Sequence, residues 1–138
     1  MSAKMLDPEF NKGIEVIVLP NLYGDIVTDV AAEHQGGLGT ASSSNLGNKY
    51  AMFEAIHGTA PFLIDHNRGD YADPCSLIRA VGMLMAHIGY ADRKQILDQA
   101  LDICTITERR LVVTTDRDGA SAAEFTDYLL ETIDGLKK

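Results

Sequence analysis

The chain has 138 residues, 46% hydrophobic and 23% charged, the size and balance of one folded domain with a modest core rather than a disordered segment. Its formal net charge is −8, from 20 acidic against 12 basic residues, so a duplex nucleic acid or an anionic membrane surface would repel it and neither is expected as a partner. No apolar run reaches the roughly 18 residues of a membrane-spanning helix, and the opening MSAKMLDPEF lacks the apolar core of a secretion signal.

Residues 14–19, IEVIVL, are short, β-branched and closed by Pro20, the pattern of a buried strand. A helix is predicted over 25–35, with Ile26, Val27, Val30 and Ala31 lining one side. GGLG at 36–39 stops it, because glycine readily takes the left-handed conformation at a helix end. TASSSNLGN is turn-rich and polar, and its serines lack the context of a catalytic nucleophile. YAMFEAIH, 50–57, reads as a second strand, and GTAPFLIDHNRGDYADP as a long loop.

A helix from about Cys75 to Gly89 carries Leu77, Ile78, Val81, Met83, Leu84, Met85 and Ile88 on most of its sides, which predicts a central, buried helix. Within it His87 reads as a satisfied core histidine rather than a metal ligand. A further helix begins near Asp92, with Ile96, Leu97, Ala100, Leu101, Ile103 and Cys104 at three–four spacing. Arg109–Arg110 reads as a solvated helix end, and LVVTT, 111–115, as a strand or an ordered loop. A last helix starts near Ser121 and packs Phe125, Leu129, Leu130 and Ile133. The alternation of strands and helices predicts an α/β architecture over one domain, residues 1–138. Cys75 and Cys104 are too few for a disulfide framework and suit a reducing, cytoplasmic setting as small buried residues.

Two stretches could carry chemistry. In NLYGDIVTD, Asp25 and Asp29 are one helical turn apart. They are either a helix cap with a solvated neighbour or a carboxylate pair for a hard divalent cation. In HGTAP, 57–61, the backbone turn is either an ordinary turn or a set of N–H groups facing a phosphate or an adenine edge. GGLG lacks the dinucleotide fingerprint and follows a helix instead of opening one.

The order of the motifs says more than any one of them. NLYGDIVTD, then GGLG with SSSNLG, then MFEAIHGTAP, a D-P loop, LMAHIGY and the tail TTDRDGASAAEFTDYL together resemble the isocitrate/isopropylmalate dehydrogenase family of β-decarboxylating dehydrogenases. NLYGD and FEAIHGTAP are closer to its isocitrate dehydrogenases, and the tail resembles the close of the family's NAD-type members. The resemblance implies the C-terminal part of that fold, a parallel or mixed sheet flanked by helices. It implies that Asp25 and Asp29 are metal ligands for Mg²⁺ or Mn²⁺, the Lewis acid that chelates the 2-hydroxy acid. It implies that His57, Gly58, Thr59 and Ala60 wrap the adenosine half of the cofactor, that Glu54 lies near the nicotinamide ribose, and that Asp73 stands where the family has an adenine-contacting Asn. NADP-type relatives carry a Lys–Tyr or similar pair after H-G-T-A-P; here Phe62 and Leu63 offer a 2′-phosphate nothing, so NAD is implied. Asp73 and a 62–74 loop a few residues longer than usual depart from the pattern.

The resemblance also implies what this stretch does not hold: the substrate-binding serine and arginines, the catalytic Tyr and Lys and a further metal-ligand Asp lie in the family's upstream half. No catalytic residue is therefore assigned in this chain. The expectation is oxidative decarboxylation of isocitrate, with negligible turnover by the chain alone, in a homo-oligomer or as the complement of a missing N-terminal half. The alternatives are a non-catalytic regulatory or binding module, or a 3-isopropylmalate or homoisocitrate dehydrogenase piece.

Overall fold

The computed structural model describes residues 7–14, 16–35 and 40–137. They fall into two compact units, 1–38 and 39–138.

The first unit holds α1, Pro8–Asn11, and α2, Asn21–Gln35. Asp7 caps α1, its Oδ1 accepting the Glu9 N–H at 3.0 Å. The expected strand over 14–19 is not formed: residues 14 and 16–20 belong to no helix or strand. Val16 is 78% and Val18 88% exposed. β-Branched residues favour a strand only where a ladder and a cover exist, and the described residues offer this segment neither. α2 begins at Asn21, where the Gly24 N–H reaches the Pro20 carbonyl at 2.9 Å. That is four residues ahead of the predicted start, because the residue before a proline is steered away from helical backbone and the chain turns in just after it. The GGLG stop lies outside the described residues.

The second unit opens with β1, Ser42–Leu46, and β2, Ala51–Ala55, paired antiparallel with Ser44 opposite Phe53. The serine run is thus a strand rather than a loop. Among the described residues the sheet is this antiparallel pair, without the parallel strands the resemblance implied; with the helices after it, it makes the expected α/β class. After it come α3, Pro61–Asp65, a 3₁₀ turn at Gly69–Tyr71, α4, Cys75–His87, and α5, Ala91–Asp102. A π-helical turn, Ile103–Thr107, and α6, Ala122–Leu136, complete the unit. Residues 111–115 form a loop. α6 starts as its sequence says: Ser121 Oγ accepts the Glu124 N–H, and Glu124 Oε2 accepts the Ser121 N–H at 2.8 Å, a reciprocal capping box.

The core lies among α4, α5 and α6: Cys75, Ala100, Leu101, Cys104, Phe125, Tyr128 and Leu129. Phe125 meets Tyr128 edge-on, with ring centroids 6.5 Å apart. α4 buries only its small side, Cys75, Ser76, Ala80 and Gly82, so α5 can approach closely; a Cβ on Gly82 would stand 3.5 Å from the Leu97 side chain. Leu77, Val81, Leu84 and Ile88 are 57, 45, 39 and 57% exposed. α4 is therefore open on one side, where its sequence predicted a helix buried all round. His87 is also exposed, tilted against Phe53 at 5.3 Å, rather than a core histidine. Arg110 is no free helix end: its guanidinium lies 4.1 Å over the Tyr128 ring and bonds Glu131 at 2.7 Å.

Candidate functional site

Asp25 and Asp29 both lie inside α2, in its second and third turns. That removes the reading of Asp25 as an N-cap. Residues four apart in a helix share a face, so the two carboxylates stand one above the other, and both residues are exposed. Thr28 turns its hydroxyl onto the Gly24 and Asp25 carbonyls at 2.8 and 3.1 Å, leaving the carboxylates alone. Neither forms an ion pair among the described residues. A free like-charged pair costs the helix about a few tenths of a kcal/mol, and a hard cation would reverse that sign. No group of three or more metal-ligating side chains occurs among the described residues, so the pair is at most part of a coordination set.

In the second unit the hairpin and the start of α4 position the other assigned residues. Glu54 on β2 lies opposite Ser43, and its Oε1 accepts the Asn45 Nδ2–H at 2.7 Å across the pair. β2 ends at Ala55, and the chain leaves it through Ile56 into His57, Gly58, Thr59 and Ala60, all four exposed. The His57 ring Nδ1 lies 3.0 Å from the Gly58 carbonyl. Ala60 is left-handed, with φ 46 and ψ 59, and its carbonyl accepts the Leu63 N–H at 2.9 Å. A non-glycine residue there is strained, which fixes where the turn ends and where Pro61 begins α3. Gly58 has no atom within 4 Å of a Cβ built on it. Nothing in the chain's own packing therefore requires glycine at that point.

Asp73 does something the sequence did not reveal. Its Oδ1 accepts the Cys75 N–H at 2.8 Å, satisfying an otherwise orphaned donor at the start of α4. Either an Asn or an Asp side chain can accept that bond, and the negative charge of Asp suits a helix N-terminus. Burial, with the Asp73 charge next, pushes the Cys75 thiol well above its ordinary range. It is therefore held as a neutral, unreactive thiol.

Ser76 is the positioning residue that sequence reasoning missed. It is fully buried. Its hydroxyl donates to the Ala41 carbonyl and accepts the Ile56 N–H at 3.3 Å. One side chain thus ties the entry of β1 and the exit of β2 to the first turn of α4, immediately before His57. The signal was a lone hydroxyl in the first turn of a mostly apolar helix.

The sequence profile of the family described as isocitrate/isopropylmalate dehydrogenase matches residues 1–133. The chain is 43% identical over 131 residues to a regulatory chain of the mitochondrial NAD isocitrate dehydrogenase of Dictyostelium discoideum, covering 94% of this chain and 35% of that protein. It is 49% identical over 86 residues to an NADP isocitrate dehydrogenase from Rickettsia felis, covering 62% of this chain and 17% of that protein. The fold superposes on the crystal structure of isocitrate dehydrogenase from Methylococcus capsulatus with a TM-score of 0.83 at 32% identity, covering 96% of this chain and 38% of that one. The chain thus spans about a third or less of the length of these curated relatives.

Proposed function

Because the chain belongs to the isocitrate/isopropylmalate dehydrogenase family, we propose that it supplies the cofactor loop and part of the metal site for the NAD-dependent oxidative decarboxylation of isocitrate to 2-oxoglutarate. The observation that carries this reading is the His57–Ala60 turn: exposed, entered from Ile56 that Ser76 bonds, ended by the left-handed Ala60, and bare above Gly58. A rigid turn whose glycine faces open space suits a ligand that must come close to backbone. Phe62 and Leu63 follow it and offer no charge to a 2′-phosphate, which favours NAD over NADP. The names of the relatives include both cofactors, so the choice rests on this chain's own residues.

The donor chemistry of Asp25 and Asp29 fits Mg²⁺ or Mn²⁺: two exposed carboxylates on one helix face, without competing cations among the described residues. A divalent ion held there would supply Lewis-acid polarisation of a 2-hydroxy or 2-oxo acid. In this reading α2 orients the carboxylates, and in the second unit the 57–60 turn binds the adenosine half while Glu54, bonded by Asn45, meets the ribose. Asp73 takes part by capping α4 and, in this reading, by meeting adenine. No side chain here is assigned to move a proton, so the remaining ligand and the acid–base groups come from the rest of such a protein or from a partner chain. The 138 residues are then one partial domain, inactive alone, in a homo-oligomer or complementing an N-terminal half. A reducing, cytoplasmic setting suits its two free buried thiols.

A second reading makes the chain a non-catalytic regulatory piece. It is favoured by the name of the Dictyostelium relative. Calorimetric titration with NAD and NADP, on the chain and on Gly58→Ala, separates the two. Catalytic descent predicts NAD binding at least about tenfold tighter than NADP and weakened about tenfold in Gly58→Ala at unchanged melting temperature. Absence of NAD binding by the intact chain would leave the regulatory reading.

A further inference from the structure

Two loops that carry family motifs are tied together by one arginine that the chemistry above does not use. Arg68 lies in the loop after α3. Its Nε and Nη2 both donate to the Thr115 carbonyl, at 3.1 and 2.6 Å. Nη2 also stands 2.9 Å from Asp116 Oδ2. The same guanidinium lies 5.7 Å over the ring of Phe62. In the opposite direction, Arg117 Nη2 donates to the Asn67 carbonyl at 3.5 Å. Three arginine-to-carbonyl bonds, from two arginines, therefore cross between residues 67–68 and residues 115–117.

Both ends are held in demanding backbone. Asn67 has φ 53 and Thr115 φ 62. The left-handed region is tolerable for Asn but costly for a β-branched residue such as Thr. The turn that presents the Thr115 carbonyl is itself fixed. The Ala120 N–H bonds the Val112 carbonyl at 2.9 Å, and Thr114 Oγ1 bonds Asp118 Oδ1 at 2.7 Å. An exposed Arg–Asp pair alone contributes little. This guanidinium is different: its side chain is only 20% exposed and it forks onto a carbonyl as well as a carboxylate.

We propose that Arg68 is a positioning residue. It locks the segment after α3, residues 66–74, onto the Thr114–Gly119 turn and, through Phe62 in α3, fixes the His57–Ala60 turn. The lock stands on the contacts themselves; that it positions a cofactor turn rests on the NAD reading above. The fork explains why arginine is needed. A lysine would keep the charge but could not place two N–H groups on the Thr115 carbonyl while reaching Asp116.

The test is hydrogen exchange by mass spectrometry combined with NAD calorimetry on the full 138-residue chain, as wild type, Arg68→Ala and Arg68→Lys. In Arg68→Ala, exchange should accelerate about tenfold or more at the amides of 66–72 and of 116–120 together, with α5 and α6 unchanged. NAD affinity should fall about tenfold, and Arg68→Lys should rescue neither. Unchanged exchange in either segment overturns the lock, as does full rescue by lysine, which would reduce it to a charge pair. Joint unlocking with wild-type NAD affinity overturns the positioning role. If the wild type does not bind NAD but Arg68→Ala still unlocks both segments, the cofactor reading fails and the lock stands.

Discussion

Gly119 shows how little freedom single positions have in the 111–120 loop. A Cβ there would stand 2.8 Å from the Thr114 nitrogen and 2.9 Å from the Val112 carbonyl, both backbone atoms that cannot swing aside. Gly119→Ala should cost about 1–3 kcal/mol, read as a lower urea midpoint at unchanged slope. Tyr128 sets a pH dependence. Its phenol is buried and donates to Glu108 Oε2 at 2.7 Å, and burial, with that bond next, pushes its pKa up to about 12. The folded pKa lies above the unfolded value of about 10. Stability from this group is therefore full below about pH 10 and is lost as pH rises through about 12. Tyr128→Phe should flatten that alkaline decline in thermal melts across the same range, and an unchanged decline would assign it to other groups. At α2, Asp25→Asn in metal-free buffer should leave stability the same or raise it by about a few tenths of a kcal/mol, because it removes a like-charged neighbour. A clear loss on denaturant titration would instead give Asp25 a structural role.

Ser76 governs an element rather than itself. Ser76→Ala would leave the Ala41 carbonyl and the Ile56 N–H without their partner at a fully buried position. The expected cost is about 1–3 kcal/mol, with faster amide exchange through β2 and the turn beyond it. Equal exchange there would show that the hairpin is held otherwise. The same comparison of elements shows what is legible in the sequence. α6 is readable because its start is a local code, Ser121 with Glu124, and α5 because its apolar spacing is helical. The predicted start of α2 falls too late because Asp25 is a good cap residue and Gly24 a poor helix former; the structure lets Pro20 set the start. Segment 14–19 misleads because strand propensity cannot report whether a ladder partner exists. β1 is hidden because Ser42, Ser43 and Ser44 carry no apolar alternation; its pairing is fixed from outside, by β2 and by Ser76. Of the candidate site, the carboxylate spacing and the 57–61 motif are visible locally. The capping role of Asp73 and the Arg68 contact are not, because each depends on where distant backbone ends up.

At the scale of the whole molecule, α4 leaves an apolar stripe uncovered. Leu77, Val81, Leu84 and Ile88 recur at four- and three-residue steps, so they form one face, and all are exposed. A two-stranded sheet is marginal by itself, and the chain spans 35% of its Dictyostelium relative. An uncovered stripe of this kind drives association. Sedimentation should show concentration-dependent self-association of the chain, reduced in Leu77→Asp/Leu84→Asp. The melting temperature should move little, because these side chains lie outside the core. A strictly monomeric wild type would show that the face is tolerated in water. The metal half of the proposed function requires that the α2 carboxylates take a divalent cation. Calorimetric titration with Mn²⁺ of the wild type and of Asp25→Asn and Asp29→Asn tests this most directly. One site is expected on the wild type, weakened about tenfold or more by either substitution; Mn²⁺ binding that both variants keep, or that the wild type lacks, would rule the carboxylate pair out as a cation site.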